Sequence, residues 1–102
     1  MLTTAEADVD AQQYQWAADC HDDLGNFLTD PAAQLAAYRR AAKLADNMIA
    51  RAGADITLGQ CEFAAERYKV LRDTQEDPAD KERSDNRIKQ LESLIRDKQA
   101  AL

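Results

Sequence analysis

The sequence predicts an all-α protein, a small bundle of three to four helices with an amphipathic C-terminal helix. β-Branched residues are scarce and Ala, Leu, Gln and Arg are abundant, a composition that favours helices. Apolar residues recur at steps of three, four and seven, the helical period. Pro31 and Pro78 each follow an Asp, a pair that is typical of a helix start. The length of 102 residues is that of one domain, so we treat residues 1–102 as a single helical domain.

The first helix is predicted over about residues 4–28. It begins at Thr3 or Thr4, because Thr3 and Glu6 have the spacing of a capping box. Its large apolar residues fall on one stripe, which we expect to be buried, with Trp16 a candidate anchor of the core or of an interface. They are Val9, Trp16, Cys20, Leu24 and Phe27.

The second helix is predicted over about residues 31–52. It begins after the capping residue Asp30, and Gly53 ends it. Its inner face contains several small residues, so we expect a neighbouring helix to pack closely against it. This face consists of Leu35, Tyr38, Ala42, Ala45, Met48 and Ile49.

The third helix is predicted over about residues 57–75. Thr57 and Gln60 again have the spacing of a capping box. The helix carries apolar residues on two sides, with Phe63 and Val70 apart from the main row. A helix in a small monomer seldom needs both sides, so Phe63 and Val70 are predicted to be either central in the core or anchors of a partner contact.

The fourth helix is predicted over about residues 79–101. Residues 75–87 contain one apolar residue, Ala79, and form either a solvated helix or a linker. An apolar seam of about two heptads follows, which is too short for an isolated coiled coil. This helix therefore docks on its own bundle or on a second copy. The residues assigned to self-association are Ile88, Leu91, Ile95 and Leu102.

Composition predicts a protein of the bacterial cytoplasm. No apolar run reaches the length of about 18 residues that a membrane span needs, and no basic and apolar leader opens the chain. Cys20 and Cys61 lie far apart, without the spacing of a zinc site or a disulfide framework. We interpret both as small buried residues, and we predict no metal and no cofactor. The bias toward Ala and Asp favours a bacterial or phage source.

Charge is distributed unevenly along the chain, whose formal net charge is −6. The first 38 residues hold seven carboxylates and no Lys or Arg. The acidic side chains of the first helix form a ridge on a different side from its apolar stripe. Three explanations stay open: the ridge is neutralised within the monomer, it is a solvated face, or it docks on a basic partner protein. The candidate internal cations are Arg39, Arg40, Lys43 and Arg67, and the residues assigned to partner binding are Asp8, Asp19, Asp22, Asp23, Phe63 and Val70.

The sequence offers few residues for catalysis, so no catalytic residue is predicted. His21 is the single imidazole, and no Ser or Cys stands in an activating context. Glu62 and Glu66 are spaced by four residues, whereas all-α nucleotide hydrolases that depend on metals use carboxylates spaced by three. Such a hydrolase therefore ranks third among the functions considered. The negative net charge also argues against direct binding of nucleic acid.

The favoured function is a non-enzymatic protein-binding module. In this hypothesis the chain is an acidic helical adaptor or inhibitor that docks on a basic partner, such as a nucleic-acid-binding protein. The alternative is a structural or assembly subunit of a homo-oligomer or a phage particle, joined through the C-terminal helix.

Overall fold

The computed structural model describes residues 11–101, and within this range the chain is all α with no strand. The predicted fold class is therefore confirmed. The elements of this range are α1 (Ala11–Phe27), α2 (Pro31–Ala52), a 3-10 turn (Gly53–Asp55), α3 (Leu58–Thr74) and α4 (Pro78–Ala100). The predicted helix start at Thr3 or Thr4, with its capping box to Glu6, lies outside the described residues.

Both Asp-Pro pairs start helices, as the sequence predicts. At the start of α2, the Asp30 carboxylate accepts a hydrogen bond from the backbone N–H of Ala33 at 3.2 Å, and Pro31 follows in the first turn. At the start of α4, the Asp77 carboxylate accepts from the N–H of Ala79 at 3.0 Å. Each carboxylate satisfies an N–H that has no acceptor within its own helix, which fixes where the helix begins.

The connection between α2 and α3 is defined by a glycine and a capping box. Gly53 has a φ of 55° and donates its N–H to the carbonyl of Ile49, a conformation that glycine adopts without steric cost. The Thr57 hydroxyl accepts from the N–H of Gln60 at 3.1 Å, and Oε1 of Gln60 accepts from the N–H of Thr57 at 2.9 Å. The predicted end of α2 and the predicted capping box of α3 are confirmed.

Most of the polar stretch predicted as a solvated helix or a linker is helical. Residues 78–87 form the first turns of the continuous helix α4, so they are not a linker. Ser84 is buried, and its hydroxyl donates to Oε1 of Gln75 at 2.7 Å. Gln75 is itself buried at the end of α3. This hydrogen bond attaches the early turns of α4 to the end of α3, although the stretch has almost no apolar side chain to bury.

Consecutive helices pack against each other, α1 on α2, α2 on α3 and α3 on α4. The described part measures 39 × 37 × 21 Å, so its thinnest dimension corresponds to about two helix diameters. The core where α2, α3 and α4 meet is rich in alanine, which lets the helices approach closely. Its buried members are Ala45, Met48, Ala64, Ala65 and Leu91.

A polar contact ties α2, α3 and α4 together beside this core. The Tyr68 hydroxyl donates to the Asp46 carboxylate. Arg87 donates to Oδ1 of Asp46 from Nε at 3.0 Å and from Nη2 at 2.8 Å. Burial, together with the hydrogen bond to Asp46, raises the pKa of Tyr68. The hydroxyl therefore keeps its proton and remains the donor that joins α3 to α2.

The C-terminal helix docks on its own bundle. Ile88 is 2% exposed and Leu91 is 1% exposed, so the same molecule already encloses both side chains. Their assignment to self-association stays a prediction, and the monomer leaves neither side chain at its surface. Ile95 packs against the core as a partly buried residue, and Leu102 lies outside the described residues.

Candidate protein-docking surface

Four side chains of α1 form a row that points to solvent, which we call the outer stripe: Trp16, Cys20, Leu24 and Phe27. The exposed fractions of Trp16, Leu24 and Phe27 are 59%, 48% and 87%, and Cys20 is exposed as well. Steps of four, four and three residues place these side chains within about 80° of the helix circumference. The outer stripe is therefore one continuous surface.

The predicted burial of this stripe is wrong, because α1 turns a different face to the bundle. The buried residues of α1 are Ala18, Asp22 and Gly25. Cys20 was expected to be buried and is exposed, whereas Cys61 is buried as predicted. Val9, which would extend the stripe toward the N-terminus, lies outside the described residues.

Small residues explain which face of α1 is buried. Ala11, Ala18 and Gly25 are spaced by seven residues and lie on one side of the helix. The neighbouring α2 presents Ala37 and Ala41, both buried. Two surfaces of small residues bring the helix axes close together. Gly25 leaves room on this face for the buried ring of Tyr38 from α2.

Two specific contacts fix the rotation of α1 about its own axis. The Tyr38 hydroxyl donates to Oδ1 of Asn26 at 2.5 Å, which joins α1 to α2. Nη1 of Arg67 lies 2.5 Å from Oδ2 of Asp22, which joins α1 to α3. The guanidinium of Arg67 also lies over the ring of Phe63, with its central carbon 5.2 Å from the ring centroid.

Burial of the outer stripe against another surface would be favourable. Moving a side chain of the size of Leu or Phe from water into an apolar contact is favourable by about 1.5–3 kcal/mol. Single exposed apolar residues are common on protein surfaces. Trp16, Leu24 and Phe27, however, are aligned on one helix, and an aligned apolar patch is typical of an interaction site.

Two carboxylates flank the outer stripe. On a projection of about 100° per residue, Asp23 falls about 20° and Asp19 about 60° from Trp16. Both Asp residues are exposed. Among residues 11–101, the ion pairs include neither of them, and α1 itself contains no Lys or Arg. The flank of the outer stripe therefore keeps its negative charge.

The remaining acidic residues of the predicted ridge do not share this environment. Asp22 is buried and paired with Arg67, one of the internal cations that the sequence analysis considered. Its assignment to partner binding stays a prediction, and in the structure the carboxylate faces Arg67 of its own molecule. Asp8 lies outside the described residues.

Phe63 and Val70 are partly buried within the bundle. Phe63 packs against the core that contains Met48 and Leu91. Val70 packs against a second cluster formed by Tyr38, Ala42 and Leu71. Of the two predicted roles for Phe63 and Val70, the contacts favour a place in the packing over a free anchor for a partner.

Leu24 and Phe27 were not among the residues predicted to bind a partner. A usable signal was present, because Ala11, Ala18 and Gly25 form a row of small residues at a spacing of seven. That row matches the alanine-rich face of α2 better than a row of large residues does. Matching small faces to each other would have predicted the exposed stripe.

A second group of charged residues lines a shallow cavity between α3 and α4. Glu62, Glu66 and Glu92 share it with Lys69 and Arg96. These charges are of mixed sign, so the cavity favours no single class of ligand. Within residues 11–101, no group of three or more His, Cys, Asp or Glu side chains is arranged to hold a metal ion.

The outer stripe and its carboxylate flank are therefore the feature of the described surface that most resembles a binding site. In the part of the chain that the structure describes, every helix falls short of the length or the apolar character that a membrane crossing requires. Comparisons with protein-family models, with curated proteins and with solved structures gave no match to this chain.

Proposed function

We propose that this chain is a non-enzymatic protein-binding module that docks through the outer stripe into an apolar groove with a basic rim on a partner protein. The observation that carries the proposal is the exposure of three large apolar side chains beside unpaired Asp19 and Asp23. Amphipathic helices bind grooves through anchors spaced by three, four and seven residues. Aromatic anchors such as Trp16 and Phe27 contribute most of the affinity in interfaces of this kind.

The charge of α1 favours a basic partner over a second copy of the chain. Two outer stripes placed face to face would bring the Asp19 and Asp23 side chains of both copies together, and like charges at a contact oppose association. A cationic rim would instead be attracted by the flank and by the net charge of −6. Proteins that bind nucleic acids have such cationic surfaces. An acidic adaptor or inhibitor of one of them is consistent with this arrangement.

The proposal places the interaction in the cytoplasm of a bacterial host. Cys20 and Cys61 are both free thiols, as is usual in a reducing compartment. For the alternative function, an assembly subunit of a homo-oligomer or a phage particle, the outer stripe is the exposed apolar contact that the described residues offer, since Ile88 and Leu91 are enclosed within the monomer.

The test uses the whole chain and a defined probe, a helical peptide of Leu and Lys with all Leu residues on one face. A matched peptide with Glu in place of Lys is the control probe. Trp16 is the single tryptophan of the chain, so its fluorescence reports directly on the outer stripe. We expect the Lys peptide to shift the Trp16 emission to shorter wavelength, with an affinity that falls as salt increases. We expect no shift with the Glu peptide.

Variants of the chain test whether the Lys peptide binds specifically at the outer stripe or is attracted to negative charge anywhere on the protein. Phe27→Ala should weaken peptide binding by about tenfold or more, as truncation of a central aromatic anchor does. Asp19→Asn with Asp23→Asn should weaken binding and flatten its salt dependence. Glu62→Gln with Glu66→Gln removes the same charge from exposed positions of α3 and should leave binding nearly unchanged. Equal effects of the two double variants would contradict the proposal.

Sedimentation of the chain alone tests for a second copy at the same surface. We expect a monomer at concentrations at which the Lys peptide binds. A dimer that Phe27→Ala converts to a monomer would overturn the choice of a basic partner, and would assign the outer stripe to self-association.

A further inference from the structure

The rotation of α1 does not follow from its apolar content. One face of the helix carries Trp16, Leu24 and Phe27, and the opposite face carries Ala18 and Gly25. The face with the larger apolar area is the one left in solvent. A bundle held together by apolar burial alone would favour the reverse orientation. Close packing of the small face on α2 favours the observed orientation, and a contact that penalises the reverse one reinforces it.

Asp22 and Arg67 supply such a contact. Their ion pair joins Oδ2 of Asp22 to Nη1 of Arg67 at 2.5 Å, with 12% and 14% of the two side chains exposed. Within residues 11–101, it is the one ion pair that connects α1 to another helix. This ion pair joins α1 to α3, whereas α1 packs mainly on α2.

The pair is incompletely satisfied, which reduces its net contribution to stability. Oδ1 of Asp22 and Nε of Arg67 are buried and have no hydrogen-bond partner among the described residues. Removing two charges from water offsets much of their mutual attraction, and buried polar atoms without partners add to the loss. Replacing such a pair by apolar residues is often neutral or favourable for stability. Stability alone therefore does not explain its presence.

The same pair strongly disfavours the reverse orientation of α1. A half turn of α1 would carry Asp22 into solvent and leave Arg67 without its carboxylate. The guanidinium could not follow, because it is held over the Phe63 ring of its own helix and lies mostly buried. A buried charge that has lost its partner is far more costly than the intact pair is favourable. The ion pair thus selects between two orientations.

We propose that Asp22 and Arg67 are positioning residues, whose ion pair holds α1 in the rotation that presents the outer stripe to solvent. The ion pair thereby keeps the docking surface exposed before a partner binds, and this consequence rests on the proposed function. The positioning itself concerns the free chain and can be measured without any partner.

The test compares the wild-type chain with Asp22→Asn and with the double variant Asp22→Leu, Arg67→Met. The double variant leaves no charge buried, so we expect it to remain folded by circular dichroism. In both variants we expect Trp16 emission to shift to shorter wavelength and its quenching by acrylamide to fall severalfold. Labelling of the Cys20 thiol should slow in parallel, because Cys20 belongs to the same stripe. Asp97→Asn, at an exposed position of α4 outside every ion pair of the described residues, is the matched control and should change neither readout.

Two results would overturn the positioning role. The first is a folded double variant in which Trp16 quenching and Cys20 labelling equal those of the wild-type chain. The second is failure of the double variant to fold, because it would show that the ion pair supplies stability and not orientation. If Trp16 quenching and Cys20 labelling change as expected in the variants but the wild-type chain does not bind the Lys peptide, the proposed function alone is refuted.

Discussion

The ring of Tyr38 packs directly against the backbone of Gly25. A Cβ atom built on Gly25 would lie 2.6 Å from Cε1, 2.9 Å from Cδ1 and 3.0 Å from Cζ of that ring. The ring has little room to move, because Tyr38 is buried and its hydroxyl is bonded to Asn26. The contact between α1 and α2 therefore requires a residue without a side chain at position 25.

Gly25→Ala is expected to destabilise the chain. In an open helix, alanine is more favourable than glycine by about 1 kcal/mol. The collision with Tyr38 acts against this gain, since forcing an extra carbon into a packed contact costs about 1–3 kcal/mol. We expect the free energy of unfolding, measured with urea, to fall by up to about 2 kcal/mol.

Gly59→Ala is the matched control for this prediction. Gly59 lies in the first turn of α3, and a Cβ there would have Thr57 Oγ1 as its nearest neighbour at 4.0 Å. We expect this substitution to raise the free energy of unfolding by up to about 1 kcal/mol. Equal changes at the two glycines would show that the ring of Tyr38 moves aside and that the contact is not restrictive.

Leu91→Ala should destabilise the monomer without changing its state of association. Leu91 is 1% exposed in the core, and truncation of a buried leucine costs about 2–5 kcal/mol. Leu94→Ala, at a partly exposed position of the same helix, is the control and should cost less. Urea unfolding and sedimentation of the same samples provide the measurement. A change in sedimentation with normal stability would support the assignment of the C-terminal seam to self-association.

Stability should decline at alkaline pH because of Tyr68. Burial and the hydrogen bond to Asp46 raise the pKa of Tyr68 in the folded chain, whereas an unfolded tyrosine titrates near pH 10. Below about pH 10 both states keep the proton and the contribution to stability is complete. Above that pH the unfolded state loses its proton first, so the free energy of unfolding falls as pH rises.

The check is urea unfolding at a series of pH values, for the wild-type chain and for Tyr68→Phe. We expect the variant to be less stable at neutral pH by about 1 kcal/mol, the typical net value of one hydrogen bond. Its loss of stability above about pH 10 should be shallower than that of the wild-type chain. Identical pH dependence in the two proteins would remove Tyr68 from this role.

The two cysteines should differ sharply in reactivity. Cys20 is exposed on the outer stripe and Cys61 is buried, and burial raises the pKa of the Cys61 thiol. Since the thiolate is the reactive form, a disulfide reagent should label one thiol rapidly in the folded chain and the second only in denaturant. Cys20→Ser should abolish the rapid phase. Two rapid phases in the wild-type chain would contradict the buried position of Cys61.

Helix boundaries were predictable because their causes are local. Asp30 and Asp77 act within three residues of themselves, and Thr57 with Gln60 does the same. Such hydrogen bonds depend on the sequence around one position and need no knowledge of the rest of the fold. For the same reason Gly53 could be recognised as the end of α2.

The orientation of α1 was not predictable from periodicity, because its causes are distant in sequence. The apolar stripe predicts a buried Trp16, whereas close packing on α2 and the ion pair to Arg67 bury the opposite face. Asp19 and Asp23 could be recognised as an acidic surface from their spacing alone. Asp22 belongs to the same ridge by periodicity, and only the position of Arg67 distinguishes it from its neighbours.

The order in which the helices pack also bears on how the chain folds. Each helix packs mainly on the next one along the sequence, so most tertiary contacts close short loops. Topologies of this kind reach the native state within microseconds to milliseconds. The bonds from Arg87 to Asp46 span 41 residues, and closing so long a loop costs more conformational entropy than closing the short ones, so we expect these bonds to form late in folding. Their removal should therefore hasten unfolding while leaving the refolding rate almost unaltered.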